Sequence, residues 1–215
     1  LFATCLVDQL YPEVGVSTVR LLRRLGVEVD FPRDQTCCGQ PAYNSGFQRQ
    51  ARVQAQLTLD LFQDSEYVVT PSGSCASMLK VFYPELLHDD PALQERAHDL
   101  SRRTYELSQF LVHVLGLADV GAAYDGTVTY HASCHLLREL EVTKEPLLLI
   151  EEVKGARFVP LDGINECCGF GGAFSVKYPE ISGAILEDKL RNIEATGADA
   201  LVACDSGCLM HIAGA

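Results

Sequence analysis

Two Cys-Cys-Gly triplets, Cys37-Cys38-Gly39 and Cys167-Cys168-Gly169, constrain this chain more than any other feature. Strands and helices point neighbouring side chains apart, so adjacent thiols are a poor way to fill a core. They converge on one object only where the backbone turns, and a following glycine permits that turn at little steric cost. The object must then be larger than one side chain. Gly171 and Gly172 bring further bare backbone close to the second triplet. A triplet that recurs about 130 residues along the chain is a repeat signal before it is a motif signal.

The rest of the chain repeats with it. Residues 1–7 form a short apolar run consistent with a buried strand ending near Cys5, and residues 27–31 alternate as a strand does. Residues 67–70 read as a strand leading to Cys75. In the second half, residues 127–132 lead as a strand to Cys134, 158–161 precede the second triplet, and 200–203 run into Cys204 and Cys208. Helical spacing marks 12–25, 48–62, 76–81, 136–141 and 181–193. Residues 91–116 read as a helical connector, and 121–126 as a turn at a boundary. Strands alternating with helices imply parallel sheets. The expected fold is α/β, with two tandem, pseudo-symmetric Rossmann-like units whose small parallel sheets are flanked by helices. The first unit with its connector spans 1–120 and the second spans 121–215.

The spacing of the cysteines agrees between the copies. Cys5 to Cys37 is 32 residues and Cys134 to Cys167 is 33; Cys38 to Cys75 is 37 and Cys168 to Cys208 is 40. Each cysteine falls at the end of an expected strand or in the turn after it. In open α/β sheets those carboxyl ends face one crevice. Topology therefore gathers Cys5, Cys37, Cys38 and Cys75 in the first unit, and Cys134, Cys167, Cys168, Cys204 and Cys208 in the second.

Nine cysteines with two vicinal pairs are a poor disulfide framework, because the number is odd and vicinal geometry resists bridging. Clustered thiolates select zinc, copper(I) or iron–sulfur clusters. Four suit tetrahedral zinc or one 4Fe-4S cluster. Five neighbouring donors exceed what a single ion needs, which favours an iron–sulfur cluster in the second unit. The first unit admits either an iron–sulfur cluster or zinc, because Pro71 stands about where Cys204 would align. A net charge of −12 argues against nucleic acid and against anionic lipid bound by charge alone. No apolar run is long enough to span a membrane. The chain opens on an apolar run without Met, as a trimmed fragment would.

These paired Cys-Xn-Cys-Cys-Gly-Xn-Cys units resemble the cysteine-rich CCG domain family, which includes a heterodisulfide reductase component and the glycolate oxidase iron-sulfur subunit. The resemblance covers essentially the whole chain. The chain lacks the ferredoxin-type Cys-x2-Cys-x2-Cys run that the glycolate oxidase subunit normally carries. Its short two-copy form is most similar to the lactate-utilisation members, through Phe2-Ala3-Thr4-Cys5-Leu6-Val7-Asp8, Gln35 to Pro41 and Asn165 to Gly172. The fullest family pattern implies a five-ligand, noncubane-type cluster as the alternative to 4Fe-4S; the first copy has one terminal cysteine where that pattern has two, and the second ends Cys-x3-Cys rather than Cys-x2-Cys. The resemblance implies a redox subunit, not itself catalytic, of a complex that oxidises a 2-hydroxy acid, L-lactate to pyruvate. Its partners would be other subunits, including a further iron–sulfur protein, in the cytoplasm with room for peripheral membrane association. A zinc-stabilised binding module and a thiol–disulfide reductase component of the heterodisulfide type are the competing classes.

Other residues read more plainly. His135 beside Cys134 is expected near the site or at the surface rather than as a ligand, and His131 is expected in the core. The stretch Gly169-Phe170-Gly171-Gly172 lacks the Lys-Ser/Thr of a phosphate loop and the spaced glycines of a dinucleotide fingerprint. Glu151-Glu152 and Asp89-Asp90 read as solvated charge.

Overall fold

The computed structural model describes residues 1–215, which fall into two units, Leu1–Phe110 and Leu111–Ala215. In the first unit residues 1–4 are extended, and the Phe2 amide donates to the Val69 carbonyl at 2.9 Å. Helix α1 (Cys5–Leu10) begins at once because the Thr4 hydroxyl accepts from the Val7 amide. Helix α2 (Pro12–Arg24) opens on a proline, whose missing N–H costs nothing there. Helix α3 (Gln40–Asn44) follows the first triplet, and α4 (Gln48–Leu61) buries Ala51, Ala55, Thr58 and Leu59. Strand β1 (Val68–Thr70) is wholly buried and leads to α5 (Gly73–Ser77), capped by the Ser72 hydroxyl. One π-helical turn, Met78–Phe82, joins α5 to α6 (Tyr83–Leu86). Helix α7 (Pro91–Arg103) is capped by Asp90, and β2 (Thr104–Glu106) then pairs in parallel with β1, Val68 opposite Thr104. A short α8 (Leu107–Gln109) closes the unit. One apolar cluster runs through it and takes in Phe2, Phe62, Met78, Leu79, Tyr83 and Leu100 together with Cys38 and Cys75.

The second unit holds a three-stranded parallel sheet. Strand β3 (Ala123–His131) lies between β4 (Lys154–Phe158) and β5 (Ala200–Ala203), with Val128 opposite both Phe158 and Ala200. Helices α9 (Cys134–Arg138) and α10 (Glu145–Glu151) connect β3 to β4. Helices α11 (Ala173–Lys177) and α12 (Pro179–Ala195) connect β4 to β5, and α13 (Ser206–Ala213) follows. The chain thus leaves the central strand first to one side and then to the other. That reversal is the switch point at which open α/β sheets leave a crevice beyond their carboxyl ends.

Two small parallel sheets flanked by helices are the expected architecture, but several elements differ from the sequence reading. Residues 1–4 and 27–31 join no ladder, and Cys5 opens a helix rather than ending a strand. The connector region 91–116 is not a bare helix: Thr104–Glu106 is the partner of β1, and Ala97 and Leu100 are fully buried. The turn expected at 121–126 already belongs to β3 from Ala123 onward, and β4 ends where residues 158–161 were expected to form it.

Candidate metal centre

Both units build their thiol groups with the same backbone devices. Cys5 and Cys134 are the first residues of α1 and α9, after Thr4 and Ser133. Cys75 and Cys208 are the third residues of α5 and α13, after the caps Ser72 and Asp205. Each vicinal pair ends in a left-handed glycine, Gly39 at φ +86° and Gly169 at φ +90°. Each glycine's amide donates to the first sulfur of its pair, Gly39 to Cys37 at 3.5 Å and Gly169 to Cys167 at 3.3 Å. Each also lies tight against a helix. A Cβ on Gly39 would meet the Gln54 Cβ at 3.3 Å, whereas one on Gly169 would meet the Ser182 carbonyl oxygen at 2.5 Å.

These devices bring the thiols together. Cys5 donates to Cys37 across 3.8 Å, Cys37 also meets Cys38, and Cys38 meets Cys75. In the second unit Cys134 meets Cys167, Cys167 meets Cys168, and the Cys168 and Cys208 sulfurs are 3.3 Å apart. Cys204 stands just past β5, one residue before the cap Asp205, where the first unit has Pro71 before Ser72. The Tyr130 hydroxyl donates to its sulfur at 3.9 Å, and it packs with Val128, Tyr130 and Ile150.

Within each quartet one sulfur is favoured as the thiolate. Hydrogen bonds from Cys38 and then Cys5 hold the Cys37 pKa down at about 3, and those from Cys134 and then Cys168 hold Cys167 down at about 2. Their neighbours are pushed up: Cys5 and Cys134 by sharing a proton with that thiolate and by burial, Cys38 and Cys168 likewise. A second or third thiolate in so small a volume needs a compensating cation.

The surroundings of the two quartets differ. Tyr83, fully buried, donates to the Cys38 carbonyl at 2.8 Å, and its hydroxyl oxygen lies 3.2 Å from that of Thr58. In the second unit the buried polar groups include an amine and an imidazole, Lys189 and His131. Ser182 donates to the Gly169 carbonyl at 2.9 Å, and its hydroxyl lies 3.2 Å from Nε2 of His211. Lys189, 0% exposed, donates to the Gly163 carbonyl at 2.6 Å. Burial pushes its amine below the ordinary value, against the pull of Glu166 and of the Cys168, Cys167 and Cys208 sulfurs. His131 is buried at the end of β3, as expected, and burial followed by the charge of Lys189 lowers its pKa to about 4. His135 instead pairs with Glu139 at 3.3 Å. Lys189 escaped the sequence reading because a lysine in a charged helix reads as surface. Its signal was register: Ser182, Leu186, Lys189 and Ile193 recur every three or four residues on one face of α12.

Two sets of four converging sulfurs, half-buried or buried, with vicinal members and glycine-turned backbone, fit thiophilic metals and fit a polynuclear cluster, whose several metal atoms can take adjacent thiolates. The cysteine-rich domain (CCG) family model matches residues 1–80 and 128–213, so each quartet lies within one match. The chain is 53% identical over 214 residues to lactate utilization protein A of Geobacillus kaustophilus, covering 100% of this chain and 89% of that protein. It is 52% identical over 214 residues to lactate utilization protein A of Bacillus subtilis, covering 100% of this chain and 90% of that protein. The chain belongs to the cysteine-rich CCG domain family and, within it, to the lactate utilization protein A proteins.

Proposed function

We propose that this chain is an iron–sulfur electron-transfer subunit of a multi-subunit oxidoreductase that converts a 2-hydroxy acid, L-lactate, to pyruvate. The observation that carries the reading is the pair of sulfur quartets, each gathered from three separate segments and each containing a vicinal pair. Cys134, Cys167, Cys168 and one or both of Cys204 and Cys208 would hold an iron–sulfur cluster. Cys5, Cys37, Cys38 and Cys75 would hold a second cluster or a zinc ion. When bound, an iron–sulfur cluster supplies reversible one-electron transfer. The protein's own part is to exclude water with Cys38, Cys75, Cys168 and Cys208, to orient sulfur through the Gly39 and Gly169 amides, and to set the local field through Lys189.

Oxidation of a hydroxy acid removes two electrons and two protons, so a one-electron carrier needs partners that take substrate and remove electrons. Lactate utilization, the role for which the relatives are named, supplies the substrate. An acidic surface, net charge −12, suits complementary docking onto basic faces of further iron–sulfur subunits in the cytoplasm. No helix is long and apolar enough to cross a membrane.

The test is metal and acid-labile sulfide analysis of the anaerobically purified chain, with its visible spectrum. Iron and sulfide in equal amounts, in a brown protein that alone turns over no hydroxy acid, is the expected result. Stoichiometric zinc without sulfide would replace the reading with that of a zinc-stabilised module. Deleting the gene, in a strain without another lactate dehydrogenase, should abolish growth on lactate and spare growth on glucose; normal growth on lactate would remove the substrate from the proposal.

A further inference from the structure

His131 is the last residue of β3 and is 0% exposed, and neither of its ring nitrogens has a hydrogen-bond partner. A buried polar atom without a partner is costly, and two on one ring call for an explanation. One lies in the surroundings: a ring nitrogen of His131 and the sulfurs of Cys168 and Cys208 are all within 4.8 Å of one another. All three residues are buried. Imidazole nitrogen and thiolate sulfur are both accepted by zinc and by iron.

We propose that His131 supplies a nitrogen ligand to the metal centre of the second unit, making that centre a mixed thiolate–imidazole site while the first remains all thiolate. The first unit offers its own contrast. Phe2 precedes Cys5 by the same three residues that separate His131 from Cys134, is likewise buried, and packs its ring on Phe62 at 5.8 Å. A hydrocarbon ring fills that position without offering a donor. A neutral imidazole adds no negative charge to a centre that thiolates have already made anionic. Exchange of thiolate for imidazole raises the potential of iron–sulfur centres, so with iron bound the histidine would raise the potential of the second centre.

The inference rests on the second quartet being a metal site and not on the metal being iron. It is tested with the full chain, labelled with [15N]histidine, stripped of metal anaerobically and loaded with two equivalents of 113Cd(II). Two 113Cd resonances are expected, one of them displaced upfield and split by coupling to 15N. The coupled nitrogen is assigned through the ring protons in the unmodified chain, so the result does not depend on a variant folding. The splitting should vanish in His131→Phe, which copies the first unit. Two unsplit resonances would overturn the ligand and leave His131 at most a hydrogen-bond donor to sulfur. Cadmium held at one site only, or a splitting that survives His131→Phe, would overturn it as well. Absence of iron and sulfide from the purified protein, by contrast, sinks the iron–sulfur reading and leaves this inference standing.

Discussion

Around the first quartet the chain places hydrocarbon and neutral hydroxyls such as Thr4, Thr58 and Ser72: Cys38 and Cys75 belong to an apolar cluster that extends through Phe2, Ala51, Ala55, Met78, Leu79 and Leu100. Around the second it places polar side chains taken out of water, with His131, Ser182 and Lys189 all at 2% exposure or less. There Cys168 and Cys208 share an apolar cluster with only Leu186 and Ile212 as buried companions. The backbone devices are the same in both units, so the difference lies in what holds the devices in place. The first site is shaped by packing that persists without a ligand. In the second, both ring nitrogens of buried His131 lack a hydrogen-bond partner, which leaves more of the holding to whatever the sulfurs bind, because a buried polar group is stable only when it is satisfied.

Metal removal should expose this difference most strongly. In chelator-stripped protein, amide exchange should rise by about tenfold or more in residues 165–172 and 204–210, and much less in 36–41 and 72–78. Hydrogen–deuterium exchange read by mass spectrometry measures both in one sample, and equal rises would break the comparison. Cys168→Ser should lose the second unit's metal and keep the first's, and Cys38→Ser the reverse.

The two glycines offer the next contrast. Both sit at positive φ, but only Gly169 faces a backbone oxygen within 2.5 Å of its missing Cβ. Gly39→Ala should cost about 1–2 kcal/mol, the usual penalty for a left-handed non-glycine residue. Gly169→Ala must also displace α12 and should cost about 3–4 kcal/mol. Urea unfolding of the two variants checks the order.

Lys189→Met tests the field. A buried ammonium favours the more negative, reduced state of a nearby centre, so its removal lowers the potential. At an effective dielectric near that of protein sites the charge is worth about 1–2 kcal/mol, or ~40–80 mV for one electron. Redox titration of the variant should show one potential falling by that amount and the other unmoved; a fall in both would place Lys189 outside the difference between units. The smallest effects are expected where the units match. Tyr83→Phe removes the donor to the Cys38 carbonyl and Ser182→Ala the donor to the Gly169 carbonyl, and each should cost about 1 kcal/mol. Thermal unfolding that separates the two by several degrees would mark a further asymmetry.

The sequence showed the two cysteine groups more clearly than it showed the sheets. Cysteine doublets followed by glycine, repeated at near-equal spacing, are rare for any structural purpose, so Cys37, Cys38, Cys167 and Cys168 stood out. Helices 12–25 and 48–62 were legible from apolar spacing and are within a residue of α2 and α4. The strands were not equally legible. Residues 27–31 alternate correctly but form no ladder, meeting residue 1 only where its amine donates to the Asp30 carbonyl, and pairing is a long-range event that local alternation does not report. Thr104–Glu106 is three residues long inside a helical run, too short to carry a period. Ala123 to Gly126 reads as a turn by composition, yet Ala123 and Gly126 pair with Lys154 and Ala156, around an irregularity in the register between them.

The distance between ligating segments also bears on how the protein is made. Cys5 and Cys75 are 70 residues apart in sequence, and Cys134 and Cys208 are 74. The entropy of closing such a loop grows only slowly with length, by about 0.6 kcal/mol per doubling, so the separation costs little at equilibrium. What it governs is timing. A nascent chain presents Cys5, Cys37 and Cys38 well before Cys75 is synthesised, and Cys134, Cys167 and Cys168 well before Cys208. An ion captured by either incomplete trio would cross-link the chain before β1 or β5 exists to bring the fourth sulfur. Under the proposed function, productive loading would therefore follow synthesis of each whole unit, with the thiols kept reduced and unligated until then.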